Sequence, residues 1–114
     1  MITAIESLER WERTFSQDDA TPLREMFTDD FVMIDSDGNR QTLDEVEVWA
    51  TGEDFHIADF EIVHDDDHCC CGTHSVSLDG RNNGKVCFFA LKSGDRISLW
   101  KIQRTQPALS LIHI

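Results

Sequence analysis

The stretch Asp29-Asp30-Phe31-Val32-Met33-Ile34-Asp35-Ser36-Asp37-Gly38 carries the strongest information about the fold and chemistry of this chain. It follows two short amphipathic helical patterns, and its apolar residues predict a strand over residues 31–35. That strand holds one carboxylate, Asp35, among apolar side chains. Because burial among apolar groups penalises the charged form, we expect the pKa of Asp35 to be raised. A carboxylate of that kind is a usable base near neutral pH.

Three helices are predicted around this strand. Residues 3–18 place apolar side chains at helical spacing with charges between them. Thr21 is typical of an N-cap and is followed by Pro22, which suits the first position of a second, short helix. Thr42 and Glu45 form the pattern of a capping box, which predicts the start of a third helix.

Beyond Asp54 the apolar residues recur with a period of two. This period, with closely spaced turn signals, predicts antiparallel strands at 55–64, 68–78, 84–92 and 96–105. We therefore predict an α+β fold in which three N-terminal helices pack on one face of a curved, mostly antiparallel sheet. We expect a single domain over residues 1–107. Residues 108–114 are treated as a non-native or disordered tail.

The charge of the chain restricts its partners. Asp and Glu number 22 against 10 Lys and Arg, for a formal net charge of −12. Nucleic acids and anionic membrane surfaces would be repelled, so we expect neither as a partner. The chain has no apolar run long enough to span a bilayer, and its first residues do not have the pattern of a signal peptide. We expect a cytoplasmic protein.

The four cysteines agree with that location. Three of them are consecutive, at residues 69–71, and the fourth is Cys87. Consecutive residues of a strand point to opposite faces, so this run does not suit an ordinary disulfide framework. Reduced thiols in a reducing compartment are the simpler interpretation.

The order of elements resembles the NTF2-like fold, a cone-shaped α+β family that includes SnoaL-like proteins, scytalone dehydratases and ketosteroid isomerases. The resemblance covers residues 3–105 and is strongest at residues 29–38. There the chain has two aspartates, four residues, an aspartate, two residues and a glycine, as in ketosteroid isomerases. In those enzymes the third aspartate moves the proton. The resemblance therefore implies that Asp35 occupies the position of the base, and that the protein forms a homodimer through the outer sheet face.

Two positions depart from the ketosteroid isomerase pattern. Those enzymes use a tyrosine and a protonated aspartic acid as donors to the oxyanion, whereas this chain contains no tyrosine. The matching positions are Trp11 and Cys87. An indole N–H is a weak acid and a thiol is a poor donor, while an oxyanion hole needs strong donors. We therefore predict a SnoaL-like protein that is not a true ketosteroid isomerase.

The same resemblance predicts which side chains line the pocket. An apolar concavity with a few convergent polar groups is the usual form of a small-molecule site. Asp35 and His74 are the candidate catalytic residues. The candidate ligand-binding residues are Trp11, Phe15, Trp49, Cys87, Phe89, Trp100 and Arg104.

Each of these assignments has a structural alternative. Asp35 could be a structural carboxylate that pairs with Arg104 or caps the turn at Asp37-Gly38. His74 could act as a second acid or base, or could be a packed histidine. The tryptophans could line a cavity or fill the core.

The stretch from His64 to His74 is rich in histidine, aspartate and cysteine, which are the residues that bind metals. It lacks a separated Cys-x-x-Cys pair. His68, Cys70 and His74 could share one strand face, but His74 lies too far from His68 along the strand for one ion. We predict no metal site and no cofactor.

Three functions remain open from the sequence. The first is a cofactor-independent enzyme of the isomerase, dehydratase or cyclase type, which uses Asp35 to move a proton on a small apolar molecule. The second is a non-catalytic domain that binds a hydrophobic ligand. The third is a dimeric structural module whose interior is filled by its own side chains.

Overall fold

The computed structural model describes residues 1–105 and contains three helices and six strands in that range. In chain order the elements are α1 (Ala4–Gln17), α2 (Thr21–Met26), β1 (Phe27–Ile34), β2 (Arg40–Thr42), α3 (Leu43–Ala50), β3 (Phe55–Asp65), β4 (Cys69–Leu78), β5 (Arg81–Ser93) and β6 (Arg96–Arg104). The predicted α+β class is confirmed. The expected tail, residues 108–114, lies outside the described residues.

The helices begin and end where local chemistry dictates. The side chain of Thr3 accepts a hydrogen bond from the N–H of Glu6 at the start of α1, as an N-cap does. Thr42 and Glu45 form the predicted capping box of α3. The predicted cap of α2 was wrong by one residue: Thr21 is already helical, and Ala20 takes the capping position.

The six strands form one sheet in the order β2-β1-β6-β5-β4-β3. All neighbouring pairs are antiparallel except β1 and β6, which run parallel. The sheet has two edge strands, β2 and β3, and does not close into a barrel. Strand β2 was not predicted, because three residues between a turn and a helix carry too little periodicity. Helices α1 and α3 cover the inner face of the sheet.

Strand β5 contradicts the predicted orientation. Val86, Phe88 and Ala90 are buried against the helices, whereas Cys87 and Phe89 lie on the outer face and are exposed. The prediction was wrong by one residue. Residues 86–91 are apolar on both faces, so no alternation of polarity fixes which set faces inward.

The turn before β5 is shorter than predicted. Leu78 pairs with Arg81, so only Asp79 and Gly80 form the turn. Both have positive φ, at 53° and 78°, which is the conformation that a type I′ hairpin turn requires. Within residues 1–105, no helix is both long and apolar enough to span a membrane.

Candidate functional site

A cavity of about 350 Å³ lies between the helices and the inner face of the sheet. Seven of the nine predicted site residues contribute to its wall. The lining residues are Trp11, Phe15, Met33, Asp35, Ser36, Asp37, Gln41, Trp49, Glu53, Phe55, Ile57, His74, Val76, Val86, Trp100, Ile102 and Arg104.

The apolar part of the wall is an aromatic cluster. The Trp11 ring stacks on Trp49 with centroids 6.0 Å apart, and it meets Trp100 at 5.7 Å. Phe15 and Phe55 continue the cluster at 5.7 Å from each other. Trp11 and Trp100 are therefore both core residues and cavity wall, while Trp49 lines the cavity as a half-buried residue packed against the core. The two sequence-based interpretations are compatible.

The indole N–H of Trp11 is the most unusual polar group in the wall. Trp11 is 3% exposed, and its Nε1 atom has no hydrogen-bond partner among the described residues. A buried donor without a partner costs about 1–3 kcal/mol. Buried polar groups are therefore nearly always paired, so this unpaired donor on a cavity-lining residue is exceptional.

Asp35 lies directly after β1 and is held by the turn that follows. Its Oδ1 atom accepts hydrogen bonds from the N–H groups of Asn39 (2.9 Å) and Asp37 (3.0 Å). These bonds, led by that from Asn39, hold the pKa of Asp35 below its usual range. The expected rise of this pKa was wrong, because the carboxylate caps a turn instead of lying inside an apolar strand. Asp35 still lines the cavity, as an ionised group at neutral pH.

A chain of hydrogen bonds orients the second oxygen of Asp35. The indole Nε1 of Trp49 donates to Gln41 Oε1 at 2.7 Å, and Gln41 Nε2 donates to Asp35 Oδ2 at 3.2 Å. Gln41 is opposite Met33 in the pairing of β2 with β1. Sequence reasoning missed Gln41, because nothing in its local pattern distinguishes it from a surface glutamine.

His74 points inward from β4 and is 6% exposed. Burial holds the pKa of His74 below its usual range, so the ring is neutral at neutral pH. Its Nδ1 atom is 3.0 Å from the carbonyl oxygen of Ser75, which can only accept. The ring proton is therefore on Nδ1, and Nε2 carries a lone pair. A neutral imidazole of this kind can accept a proton or a hydrogen bond.

Arg104 lies at the end of β6 and is exposed. Its backbone N–H donates to the hydroxyl of Ser36 at 3.0 Å, which ties β6 to the turn after β1. Within residues 1–105, no ion pair joins Arg104 to Asp35. The structural alternative in which Arg104 pairs with Asp35 was therefore wrong, and the one in which Asp35 caps the turn is the arrangement observed.

Cys87 and Phe89 do not line the cavity, because they belong to the outer face of β5. Val86 takes the inward position and contributes an apolar surface. The second oxyanion donor of ketosteroid isomerases therefore has no polar counterpart at this point of β5.

The residues that the sequence suggested as metal ligands, His68, Cys70 and His74, do not form a common site. Cys70 is fully buried, and burial raises the pKa of its thiol to about 11. His68 lies in the turn before β4. Among residues 1–105, the convergent group of possible metal ligands is a different one: His64, Asp66 and Cys69.

Comparison with known proteins gives matches by structure only. No family model and no curated protein matches the sequence. An NTF2-like protein of unknown function from Cytophaga hutchinsonii superposes with a TM-score of 0.73 at 9% identity, covering 98% of this chain and 96% of that chain. A protein with a ketosteroid isomerase-like fold from Catenulispora acidiphila, in complex with trimethylamine, gives 0.66 at 14% identity, covering 88% and 85%.

An LEH-like epoxide hydrolase from M. tuberculosis also superposes, with a TM-score of 0.66 at 17% identity, over 90% of this chain and 78% of that chain. These similar structures include an enzyme and a protein of unknown function, so the fold alone does not determine the reaction. Their identities to this chain are low, but the shared architecture extends over nearly all of it. The chain therefore has the NTF2-like fold, with its three helices over an open, curved six-stranded sheet.

Proposed function

We propose that this protein binds a small, largely apolar molecule that carries an oxygen acceptor, and that it moves a proton on that molecule. The observation that carries the proposal is the buried Trp11 N–H, which belongs to a cavity-lining residue and has no partner among residues 1–105. A carbonyl or hydroxyl oxygen of a ligand would satisfy this donor, while the aromatic wall would take the apolar remainder.

Two groups at the wall could exchange the proton. His74 presents a neutral ring with its lone pair on Nε2, and Asp35 is an ionised carboxylate. The two differ in environment, since His74 is buried and Asp35 is held by the turn. Groups that differ in this way suit the acid and base roles of an isomerase, dehydratase or cyclase. The indole of Trp11 would orient the substrate oxygen.

Ligand binding tests the first half of the proposal. The probes are pairs of cyclic ketones and the hydrocarbons of the same shape, with binding followed by tryptophan fluorescence. We expect the ketone of each pair to bind more tightly, and Trp11→Phe to weaken ketone binding by about tenfold, the worth of one hydrogen bond. Equal binding of ketone and hydrocarbon by the native protein would contradict the role of Trp11.

Measurement of proton exchange tests the second part of the proposal, that the protein moves a proton on its ligand. His74→Gln and Asp35→Asn should bind the ligand but exchange its α-proton for deuterium more slowly, by about 100-fold for the true base. A native protein that binds ketones but exchanges no proton would instead be the non-catalytic binding domain. NMR of the bound ketone in deuterium oxide distinguishes the two.

We also propose that the protein is a homodimer through the outer face of the sheet. Phe89 and Leu91 are 40% and 39% exposed there, on successive outward positions of β5. Phe89→Asp should give a monomer in analytical ultracentrifugation. Val48→Asp is the matched control, because Val48 is 74% exposed on α3 instead. A native protein that sediments as a monomer would refute this interface.

The cysteine chemistry supports the cytoplasmic location that we propose. None of the four cysteines is joined to another by a disulfide. A reducing compartment maintains thiols in that state.

A further inference from the structure

The hairpin between β3 and β4 brings three different ligand types together. His64 is near the end of β3, Asp66 is in the turn, and Cys69 begins β4. One ligand atom from each lies within 4.8 Å of the others. His64 Nε2 and Asp66 Oδ2 are 2.8 Å apart.

Regular pairing of β3 with β4 beside the turn positions this cluster, with Asp65 opposite Cys70. The pairing shifts between Ile62 and His64, so that His64 is opposite Cys71. Alternate residues of an extended chain share a face, so His64 of β3 and Asp66 just after it lie on the same side of the hairpin. The sequence-based hypothesis compared His68 with His74, which could share one strand face, and did not include His64 with Cys69.

The turn holds Asp66 in place for such a role. Its Oδ1 atom accepts hydrogen bonds from the N–H groups of His68 at 2.8 Å and Cys69 at 2.9 Å. Lys92 Nζ donates to the carbonyl oxygen of Asp66 at 2.6 Å, and the Lys92 side chain is almost fully buried. The carboxylate is thus fixed through one oxygen, while the other faces His64.

We propose that His64 Nε2, Asp66 Oδ2 and Cys69 Sγ bind a zinc ion at this hairpin. Nitrogen, oxygen and sulfur donors are the set that zinc uses in proteins, whereas calcium and magnesium take oxygen ligands. On binding, the cysteine thiol loses its proton to solvent. The thiolate and the carboxylate then balance the charge of Zn²⁺, with a neutral histidine as third ligand and water as fourth.

The geometry needs only small side-chain movements. Tetrahedral zinc with bonds of about 2.0–2.3 Å separates its ligand atoms by about 3.3–3.8 Å. The histidine and aspartate atoms must therefore move apart slightly, and the sulfur must approach them. His64 is exposed, so its side chain can rotate with little resistance while Asp66 keeps its bonds to the turn.

Metal titration tests the site on the full chain, purified without a histidine tag and stripped with a chelator. The probe is Co²⁺, whose thiolate complex has a charge-transfer absorption in the near ultraviolet, followed by displacement with Zn²⁺. We expect one Co²⁺ per chain with that absorption. Cys69→Ser should abolish the absorption, and Asp66→Asn should weaken zinc binding by about 100-fold or more.

Two sets of controls separate loss of the metal ligands from loss of the hairpin structure. The amide oxygen introduced by Asp66→Asn can still accept the backbone N–H bonds of the turn, so this variant keeps the hairpin; its circular dichroism should match that of the native protein. Cys71→Ser and His68→Gln change neighbouring residues that are not in the cluster and should leave binding unchanged. Absence of stoichiometric binding would overturn the proposal. Absorption that survives Cys69→Ser, or vanishes in Cys71→Ser, would also overturn it.

Discussion

The hydrogen bonds from Trp49 through Gln41 to Asp35 have a fixed direction, which allows a sharp test of the site. An indole N–H can only donate, so Gln41 must turn its oxygen toward Trp49 and its NH₂ group toward Asp35. Asp35 accepts at both oxygens. The direction of the whole chain therefore depends on a carboxylate at position 35.

The substitution Asp35→Asn is incompatible with the direction of these hydrogen bonds. The new side-chain amide must keep its oxygen on the backbone N–H groups of Asp37 and Asn39, which places its NH₂ group against the NH₂ group of Gln41. If the Gln41 amide rotates to relieve that contact, its NH₂ group then meets the N–H of Trp49. One hydrogen bond is lost in either arrangement.

The size of the effect follows from the bond that is lost. A hydrogen bond between neutral side chains, such as that of Trp49 with Gln41, contributes about 0.5–1.5 kcal/mol net. For a chain of this size such a loss lowers Tm by roughly 2–8 °C. Thermal unfolding followed by circular dichroism measures it directly.

A second substitution should restore the network. When Asp35→Asn is combined with Gln41→Glu, the carboxylate introduced at position 41 accepts from both the Trp49 indole and the amide introduced at position 35, and the total charge is unchanged. Gln41→Glu alone places two carboxylates together and should be destabilised. We expect the double variant to have a higher Tm than either single variant. Its catalytic activity should remain low if Asp35 is the base. A double variant whose Tm falls by the sum of the single effects would refute the proposed direction of the chain.

Two further predictions concern stability. Gly72→Ala should cost about 1–3 kcal/mol or more, because a Cβ atom there would lie 2.2 Å from the backbone oxygen of Glu61. A Tm near that of the native protein would contradict the close approach of β3 and β4. The hydrogen bonds of His56, first to Glu12 and then to Asp54, raise its pKa above 6.5 in the folded protein. These bonds therefore stabilise the folded state fully below pH 6.5, and that stabilisation is lost as the pH rises through the folded pKa. His56→Gln should remove that decline in the free energy of unfolding, measured with urea between about pH 5 and pH 9. A pH profile like that of the native protein would contradict the role of His56.

Local patterns predicted much of the architecture. The capping box at Thr42 and Glu45 and the helix from Thr3 depend on residues three or four apart, so they can be recognised without knowledge of the rest of the chain. His74 of β4 faces inward, as the resemblance to the NTF2-like fold implied, and the buried residues of this strand alternate with half-buried ones. Where one face of an element is more polar than the other, the sequence identifies the buried face.

The candidate site was predicted in part, from the resemblance to the NTF2-like fold. Trp11 and Trp100 were expected to line the cavity and do so. Cys87 was placed on the wrong face, because β5 is apolar on both sides. The environment of Asp35 was also misjudged, since its pKa depends on backbone N–H groups from the turn.

By itself, the sequence determined the α+β class and the starts of α1 and α3. Only the tertiary structure decided the parallel pairing of β1 with β6, the orientation of β5 and the link from Trp49 through Gln41 to Asp35. The physical reason is the separation along the chain of the groups that determine each feature. Caps and alternation arise from neighbours along the chain, whereas pairing, burial and the pKa of a side chain depend on groups that folding brings from distant positions.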